Sequence, residues 1–287
     1  MISVIIPTYN RRKVILRAIN SILRQRFSEY EIIIIDDGSK DDTRSLIETI
    51  NDNRVKYFYI ENSGAANAKN YGVSKARYQY IMFLDSDDEI IDINLLLEVK
   101  KEIDNGVEFI CFSRLLKKLK NREVLEKFND NLNLKDYILK YPLNYPGKPP
   151  YIIKKSLYKK TGGLNITTKW GEAISFWRKL FLLNPKTKII NRLSYIYYLD
   201  GNDNISKGHL YKENKIDLVY DSILLAFKEV EKFLNRQARV NWKVVLLLIS
   251  ILKRSEVKIN LKKLAKENIV NIIKAFLYVI YKRLNKQ

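Results

Sequence analysis

"EIIIIDDGSKDD", residues 31–42, runs four isoleucines straight into four aspartates set around a glycine and a serine. A strand with one solvent face alternates apolar and polar side chains, because successive residues point to opposite faces of the sheet. Residues 31–35 do not alternate, so they read as a central parallel strand covered on both sides. The neighbouring text fits that reading. "ISVII" at 2–6 is a short apolar run stopped by Pro7, and Asn10 is placed to cap a helix over roughly 11–27 with Val14, Ile15, Ala18, Ile19, Ile22 and Leu23 on one face. A helix over about 42–51, the strand "VKYFYI" at 55–60, a helix in "GAANAKNYGVSKA" and a strand "YIMFL" at 80–84 follow. A helix near 92–104 and a strand at 107–112 continue the series, and residues 114–141 read as charged and helical. Strands alternating with helices of this length predict βαβ units in a doubly wound α/β sheet.

A second acidic cluster, "IMFLDSDDEIID" at 81–92, repeats the device of a buried strand ending in carboxylates. In doubly wound sheets ligands bind beyond the carboxyl ends of the strands. Asp36, Asp37, Asp85 and Asp87 all fall there. Asp85 and Asp87 are two apart and on extended chain face the same way, so they can converge on one divalent ion. Hard cations such as Mg²⁺ or Mn²⁺ prefer carboxylate and phosphate oxygens, and a diphosphate suits the remaining positions. A solvated acidic loop is the competing reading of the same residues. Asp36 is placed to accept hydrogen bonds from a base or ribose. Lys69 and the helix start after Gly64 are placed to face phosphates. The chain has no G-x-x-x-x-G-K-[ST] loop and no G-x-G-x-x-G signature.

The chain of 287 residues is 46% hydrophobic and long enough to bury a full core. Its one cysteine, Cys111 in "VEFICFSR", excludes an internal disulfide framework and reads as a buried strand thiol. No basic leader precedes an apolar stretch at the N-terminus, so a cytoplasmic protein is expected. The longest nearly apolar run, "VVLLLISIL" at 244–252, is well short of the roughly 20 residues of a membrane span. The formal charge of +20 suits nucleic acid, anionic lipid or a phosphorylated substrate and does not choose among them.

Four blocks, "SVIIPTYNR", "IIIIDDGSKDDT", "ENSGAANAKNYG" and "IMFLDSDD", in this order and spacing, resemble glycosyltransferase family 2, the inverting enzymes of the GT-A fold. The likeness is dense over 1–100, looser to about 205, and then ends. It implies a Rossmann-like, mostly parallel sheet flanked by helices, with a C-terminal α-helical extension. Residues 1–100 would form the nucleotide-sugar and metal-binding half, 101–210 the acceptor-binding half of the same domain, and 211–287 the extension. The donor is expected to be a UDP-sugar. By resemblance Pro7, Thr8 and Tyr9 line the nucleotide site, Asp36 binds the base, and Asp37 stands beside it. Lys69 takes a place where the family often has arginine, keeping the charge but losing the rigid fork. Asp85, with Ser86, lies near ribose and metal, Asp87 is the metal-binding member of the D-x-D motif, and Asp88 has a supporting role near the sugar. Mn²⁺ or Mg²⁺ is the implied cofactor.

The family often carries its catalytic base as the aspartate of a "G-E-D" triplet before an aromatic-rich helix. In "KWGEAISFWRKL" the matching residues are Gly171, Glu172 and Ala173. Glu172 acts as base after a small shift, or another carboxylate serves, or the chain binds donor and turns it over poorly. Gly162 and Gly163 read as a tight turn, Trp177 as core, and Trp170 as either core or a sugar-stacking ring. His209, the only histidine, organises no metal site.

Beyond residue 211 the chain has no glycine or proline and carries 17 Lys or Arg against 7 Asp or Glu. Amphipathic stretches at 242–253 and 269–284 suit the cytoplasmic face of a membrane, packing on the domain, or a homo-oligomer contact. Nucleic acid is not expected as a partner, since no recognised nucleic-acid fold is present. The acceptor implied by resemblance is a glycan or lipid-linked hydroxyl in capsule, lipopolysaccharide or exopolysaccharide synthesis. A binding-only relative and a nucleotidyltransferase are the competing classes. The second would want a glycine-rich loop after the first strand, which "PTYNRRKV" lacks.

Overall fold

A computed structural model describes residues 1–119, 122–127, 150–167, 172–198 and 215–253. The chain divides into two compact units. The first comprises Met1–Leu132, Pro146–Ile166 and Leu183–Asn204; the second comprises Asn133–Tyr145, Thr167–Leu182 and Ile205–Gln287. The helix after Gly171, expected with the acceptor half, thus groups with the tail.

In the first unit, nine strands among the described residues form one sheet. They are β1 (Ile2–Thr8), β2 (Tyr30–Asp37), β3 (Val55–Ile60), β4 (Tyr80–Phe83), β5 (Glu89–Ile90), β6 (Phe109–Leu119), β7 (Arg122–Lys127), β8 (Tyr151–Lys154) and β9 (Thr187–Tyr198). The order is β3-β2-β1-β4-β8-β6-β9-β5, with β7 paired to β6. β3, β2, β1 and β4 are mutually parallel, so their carboxyl ends emerge along one edge, with Thr8 opposite Asp36. β8 runs antiparallel to both β4 and β6, and β5 antiparallel to β9. The sheet is therefore mixed, with a parallel half that carries the acidic strand ends.

The helices of this unit are α1 (Ile15–Leu23), α2 (Thr43–Glu48), α3 (Ala65–Lys75), α4 (Leu95–Asp104) and α5 (Lys155–Lys160). All eight residues of β2 are buried, as the absence of alternation predicted. Ile2, Val4 and Ile6 pack with Ile15, Ala18, Ile19 and Ile22 of α1 on one face. Ile5 points to the other face, against α3. There Gly72 leaves room for close approach: a Cβ at that position would lie 2.5 Å from Ile5 Cγ2 and 3.3 Å from Ile35 Cγ1.

Three expectations are corrected. α1 starts at Ile15, and Asn10 is not its cap: Asn10 sits at φ +52° and its Oδ1 accepts from the Lys40 amide at 2.8 Å. β1 continues through Pro7 to Thr8. The charged stretch after 114 begins as strand: β6 runs to Leu119 and β7 returns over 122–127, in register from Arg114↔Lys127 to Leu119↔Arg122. Its Lys, Leu and Glu residues favour helix, but pairing of β6 with both β7 and β9 overrides that local preference. Cys111 is a buried thiol whose pKa burial pushes up to about 12. Gly162 and Gly163 make the expected turn, with φ +79° and +75°.

The second unit is described through α6 (Glu172–Leu182), α7 (Lys215–Val230), a short 3-10 turn and α8 (Arg236–Lys253). Its core includes Ile223, Phe227, Leu234, Trp242, Val245 and Ile249. Trp177 is buried, as expected for a core residue. Trp170, His209 and the stretch at 269–284 lie outside the described residues.

The Gly72 contact makes a direct prediction. Gly72→Val sets a branched side chain against Ile5, which is fully buried and stiff at χ1, so it is expected to destabilise the chain by about 1–3 kcal/mol. Urea denaturation with wild-type stability would show that α3 does not pack this closely.

Candidate functional site

The two acidic clusters emerge side by side because β1 lies between β2 and β4. Each carboxylate then meets a different fate. Asp37 is committed to the backbone: it accepts from the Ser63 amide at 2.8 Å, the Ser63 hydroxyl at 3.2 Å and the Gly64 amide at 2.9 Å. Its own carbonyl accepts from Asn62 Nδ2 at 2.8 Å, and Gly38, at φ +83°, would place a Cβ 2.9 Å from the Asn62 amide. Asp37 therefore fixes the entry to α3. Asp36 is fully buried and accepts from the Ser39 amide and the Tyr57 hydroxyl, each at 2.8 Å. Burial and this carboxylate push the Tyr57 phenol up, which keeps it a donor.

The loop after β1 is stitched to the loop after β2. The Asn10 amide donates to Ser39 Oγ, the Arg11 amide to Thr43 Oγ1, and the Arg12 amide to Asp41 Oδ2. Pro7 and Thr8 are buried beneath, while Tyr9 stays 44% exposed at the rim. Lys69, on the second turn of α3, reaches across to the other cluster, with its Nζ 2.9 Å from Asp85 Oδ1.

After β4 the chain turns: the Asp88 amide donates to the Asp85 carbonyl at 3.1 Å. Asp85 is partly open, Ser86 is buried, and Asp88 is fully buried. The Asp87 carboxyl is held above its ordinary range, first by burial and then by the charge of Asp85, with Arg11 and Arg17 acting against the shift. Asp88 is pushed up further by burial and by Asp85 and Asp87. It accepts from the Tyr195 hydroxyl and, at 3.3 Å, from the Tyr198 amide. Asp88 thus faces into the fold and anchors the turn to β9, while Asp85 and Asp87 remain as the pair facing the strand-end edge.

The donor chemistry of that pair fits a hard divalent cation. Two carboxylates close enough to raise the pKa of one of them are relieved by a bound positive charge, and their oxygens match Mg²⁺ or Mn²⁺. Among the described residues no group of three or more His, Cys, Asp or Glu is arranged as a complete metal site, so the pair would hold only part of a coordination shell. Glu172 is the first residue of α6, in the second unit, followed by Ala173. The site residues absent from the sequence reading are Arg17, Tyr57, Tyr195 and Tyr198. Each acts through a partner at least 21 positions away, which no local pattern announces.

Because folding raises the Asp88 pKa, its protonated form stabilises the fold below the ordinary carboxylate range. That contribution is lost as the pH rises through the raised value. Asn at 88 can accept from the Tyr198 amide and donate to the Tyr195 oxygen without a charge. In metal-free buffer Asp88→Asn is therefore expected to flatten the fall in stability from pH 5 to pH 8, whereas Asp88→Ala strands two buried donors at about 1–3 kcal/mol each. Urea titrations at both pH values read this out, and an unchanged pH dependence in Asp88→Asn would contradict it.

Comparison with known proteins adds to this geometry. The model of glycosyl transferase family 2 matches residues 3–181. A GalNAc(5)-diNAcBac-PP-undecaprenol beta-1,3-glucosyltransferase of Campylobacter jejuni is 28% identical over 250 residues, covering 84% of this chain and 76% of that protein. An Escherichia coli UDP-Glc:alpha-D-GlcNAc-diphosphoundecaprenol beta-1,3-glucosyltransferase is 32% identical over 129 residues, 45% of this chain and 50% of the relative. The chain spans only 16 to 18% of the length of three uncharacterised Rickettsia glycosyltransferases that it matches over 109 residues. The crystal structure of S. aureus TarS 1–349 in complex with UDP-GlcNAc superposes with a TM-score of 0.66 at 21% identity, covering 88% of this chain and 72% of that one. That likeness establishes a shared fold.

Proposed function

The chain belongs to glycosyl transferase family 2, a nucleotide-sugar-dependent family of GT-A-like fold, and we propose that it transfers a hexosyl or N-acetylhexosaminyl group from a UDP-sugar to a hydroxyl of a glycan or lipid-linked acceptor, with inversion. The observation that carries this reading is the Asp85–Asp87 pair at the end of β4, with Lys69 on Asp85, along the same sheet edge as the buried Asp36. Asp36, fully buried and braced by Tyr57 and Ser39, is the proposed acceptor for a base or ribose donor. Asp85 and Asp87 would hold Mn²⁺ or Mg²⁺. The cation's chemistry there would be to neutralise charge building on the departing diphosphate. Lys69 adds a second positive charge that can exchange Asp85 for a phosphate oxygen. In an inverting transfer the acceptor hydroxyl needs a base on the face opposite the leaving group, and Glu172 is our candidate.

Ala173 favours a second reading, a relative that binds nucleotide-sugar and turns it over poorly. Calorimetry and a transfer assay on one protein sample separate the two. We expect Mn²⁺-dependent binding of a UDP-sugar, at least tenfold weaker in Asp87→Asn, and turnover with an undecaprenyl-diphosphate-linked acceptor. Glu172→Gln should bind donor normally and lose turnover by about 10²–10⁴-fold if it removes the general base. Donor binding without turnover by the wild type favours the second reading, and no binding of any UDP-sugar sinks the donor assignment.

We also propose a place at the cytoplasmic face of a membrane, a reading suggested by the exposed side chains of α8. No helix among the described residues is long and apolar enough to cross one. The outer face of α8 exposes Arg236, Arg239 and Lys243 with Val240 (48%) and Leu247 (59%), a mixture that suits anionic headgroups over an apolar boundary. Co-flotation with vesicles containing phosphatidylglycerol, lost in neutral vesicles and in an Arg236→Glu/Arg239→Glu variant, is the expected result. Dimerisation without flotation would assign this face to a homo-oligomer instead.

A further inference from the structure

Arg17 is used by nothing in the reaction described so far, yet its guanidinium lies at the centre of the acidic turn. It projects from the second half-turn of α1, half-buried, and donates from Nη2 to the backbone carbonyl of Asp87. Its Cζ stands 3.4 Å from the centroid of the Tyr198 ring, so the cation sits over the aromatic face. Its Nε is buried without a hydrogen-bond partner, and its charge also acts on the Asp87 carboxyl. Tyr198 closes the circuit: its amide donates to Asp88 Oδ1, and its hydroxyl donates to Glu89 Oε2 at 2.8 Å. Glu89 is paired in turn with Arg24, also on the α1 side, at 2.6 Å. Asp87, Asp88 and Glu89 are thus each tied to α1 or to the end of β9.

Resting on the donor-site reading above, we propose that Arg17 is a positioning residue: stacked on Tyr198 and bonded to the Asp87 carbonyl, it clamps α1 and β9 onto the turn and so fixes the direction in which the Asp85 and Asp87 carboxylates face. The hydrogen bond goes to the Asp87 carbonyl rather than to its carboxylate, on which Arg17 acts through its charge. Lysine cannot replace this arrangement, because the ammonium lacks the planar face that stacks and the fork that reaches past the ring. The clamp also bridges a turn of four consecutive polar or acidic residues, Asp85 to Asp88, whose charges repel one another.

The test is amide hydrogen exchange of the full chain, free of metal and nucleotide, comparing the wild type with Arg17→Lys and Arg17→Met. Peptides covering residues 84–90 should exchange about tenfold faster in both variants, while residues 30–37 in β2 are unchanged, because loss of a charged hydrogen bond and a stacking contact opens the turn locally. Tyr198→Leu, which removes the ring but keeps the amide, should reproduce the effect, and Tyr198→Phe should show less of it. Calorimetry should then find Mn²⁺ with UDP binding about tenfold more weakly to Arg17→Lys. Unchanged protection at 84–90 in both Arg17 variants overturns the proposal, as does equal acceleration in β2, which would mean general destabilisation. A wild type that binds no Mn²⁺ and UDP would fail the donor-site reading, and the exchange result would still decide the clamp.

Discussion

A carboxyl group sealed from water must find its hydrogen bonds inside the protein, and Asp88 finds them on a strand 107 positions away. The Tyr195 hydroxyl and the Tyr198 amide satisfy it, and in doing so they fasten the end of β4 to the end of β9. The sheet order makes this possible, since the antiparallel β8 and the mixed pairings of β6 and β9 bring the late strand around to the turn. The rest of the site hangs on that attachment. With Asp88 turned inward, Asp85 and Asp87 are left at the strand-end edge beside Lys69, and Arg17 and Glu89 brace the turn from the α1 side.

The carboxylates of the two clusters divide their labour by what they face. Asp37 spends both oxygens on the Ser63 and Gly64 amides and so builds the start of α3. Asp36 keeps acceptor capacity while two donors fix its orientation. Asp85 and Asp87 are not held by a fold-building network of that kind, and burial followed by the charge of Asp85 raises the Asp87 carboxyl, a strain that the proposed cation would relieve. Acidic residues that looked equivalent along the chain are therefore two structural anchors, one oriented acceptor and one metal-suited pair.

Much of the parallel half was legible because its signals are local. Four isoleucines without alternation made β2 a covered strand, and the runs at 2–6, 55–60 and 80–84 gave its neighbours. The hairpin of β6 and β7 was not legible, since lysine, leucine and glutamate favour helix and only the partners in β7 and β9 make them extended. Asn10 misled for a related reason: its cap-like identity was used on the Lys40 amide across a loop instead of on its own helix. Of the site as proposed, the D-x-D pair and Lys69 are the members suggested by spacing and resemblance. The braces, Arg17, Tyr57, Tyr195 and Tyr198, could not, because each is defined by a contact between distant segments. The inward turn of Asp88 also follows from tertiary burial, which a run of adjacent aspartates does not reveal.

The most direct measurement is the anomalous diffraction of crystals grown with Mn²⁺ and UDP. The account predicts one manganese peak at the end of β4, coordinated by Asp87 and Asp85 together with diphosphate oxygens, and the uracil end of the nucleotide beside Asp36. A manganese site elsewhere, or UDP bound away from this strand-end edge, would contradict it.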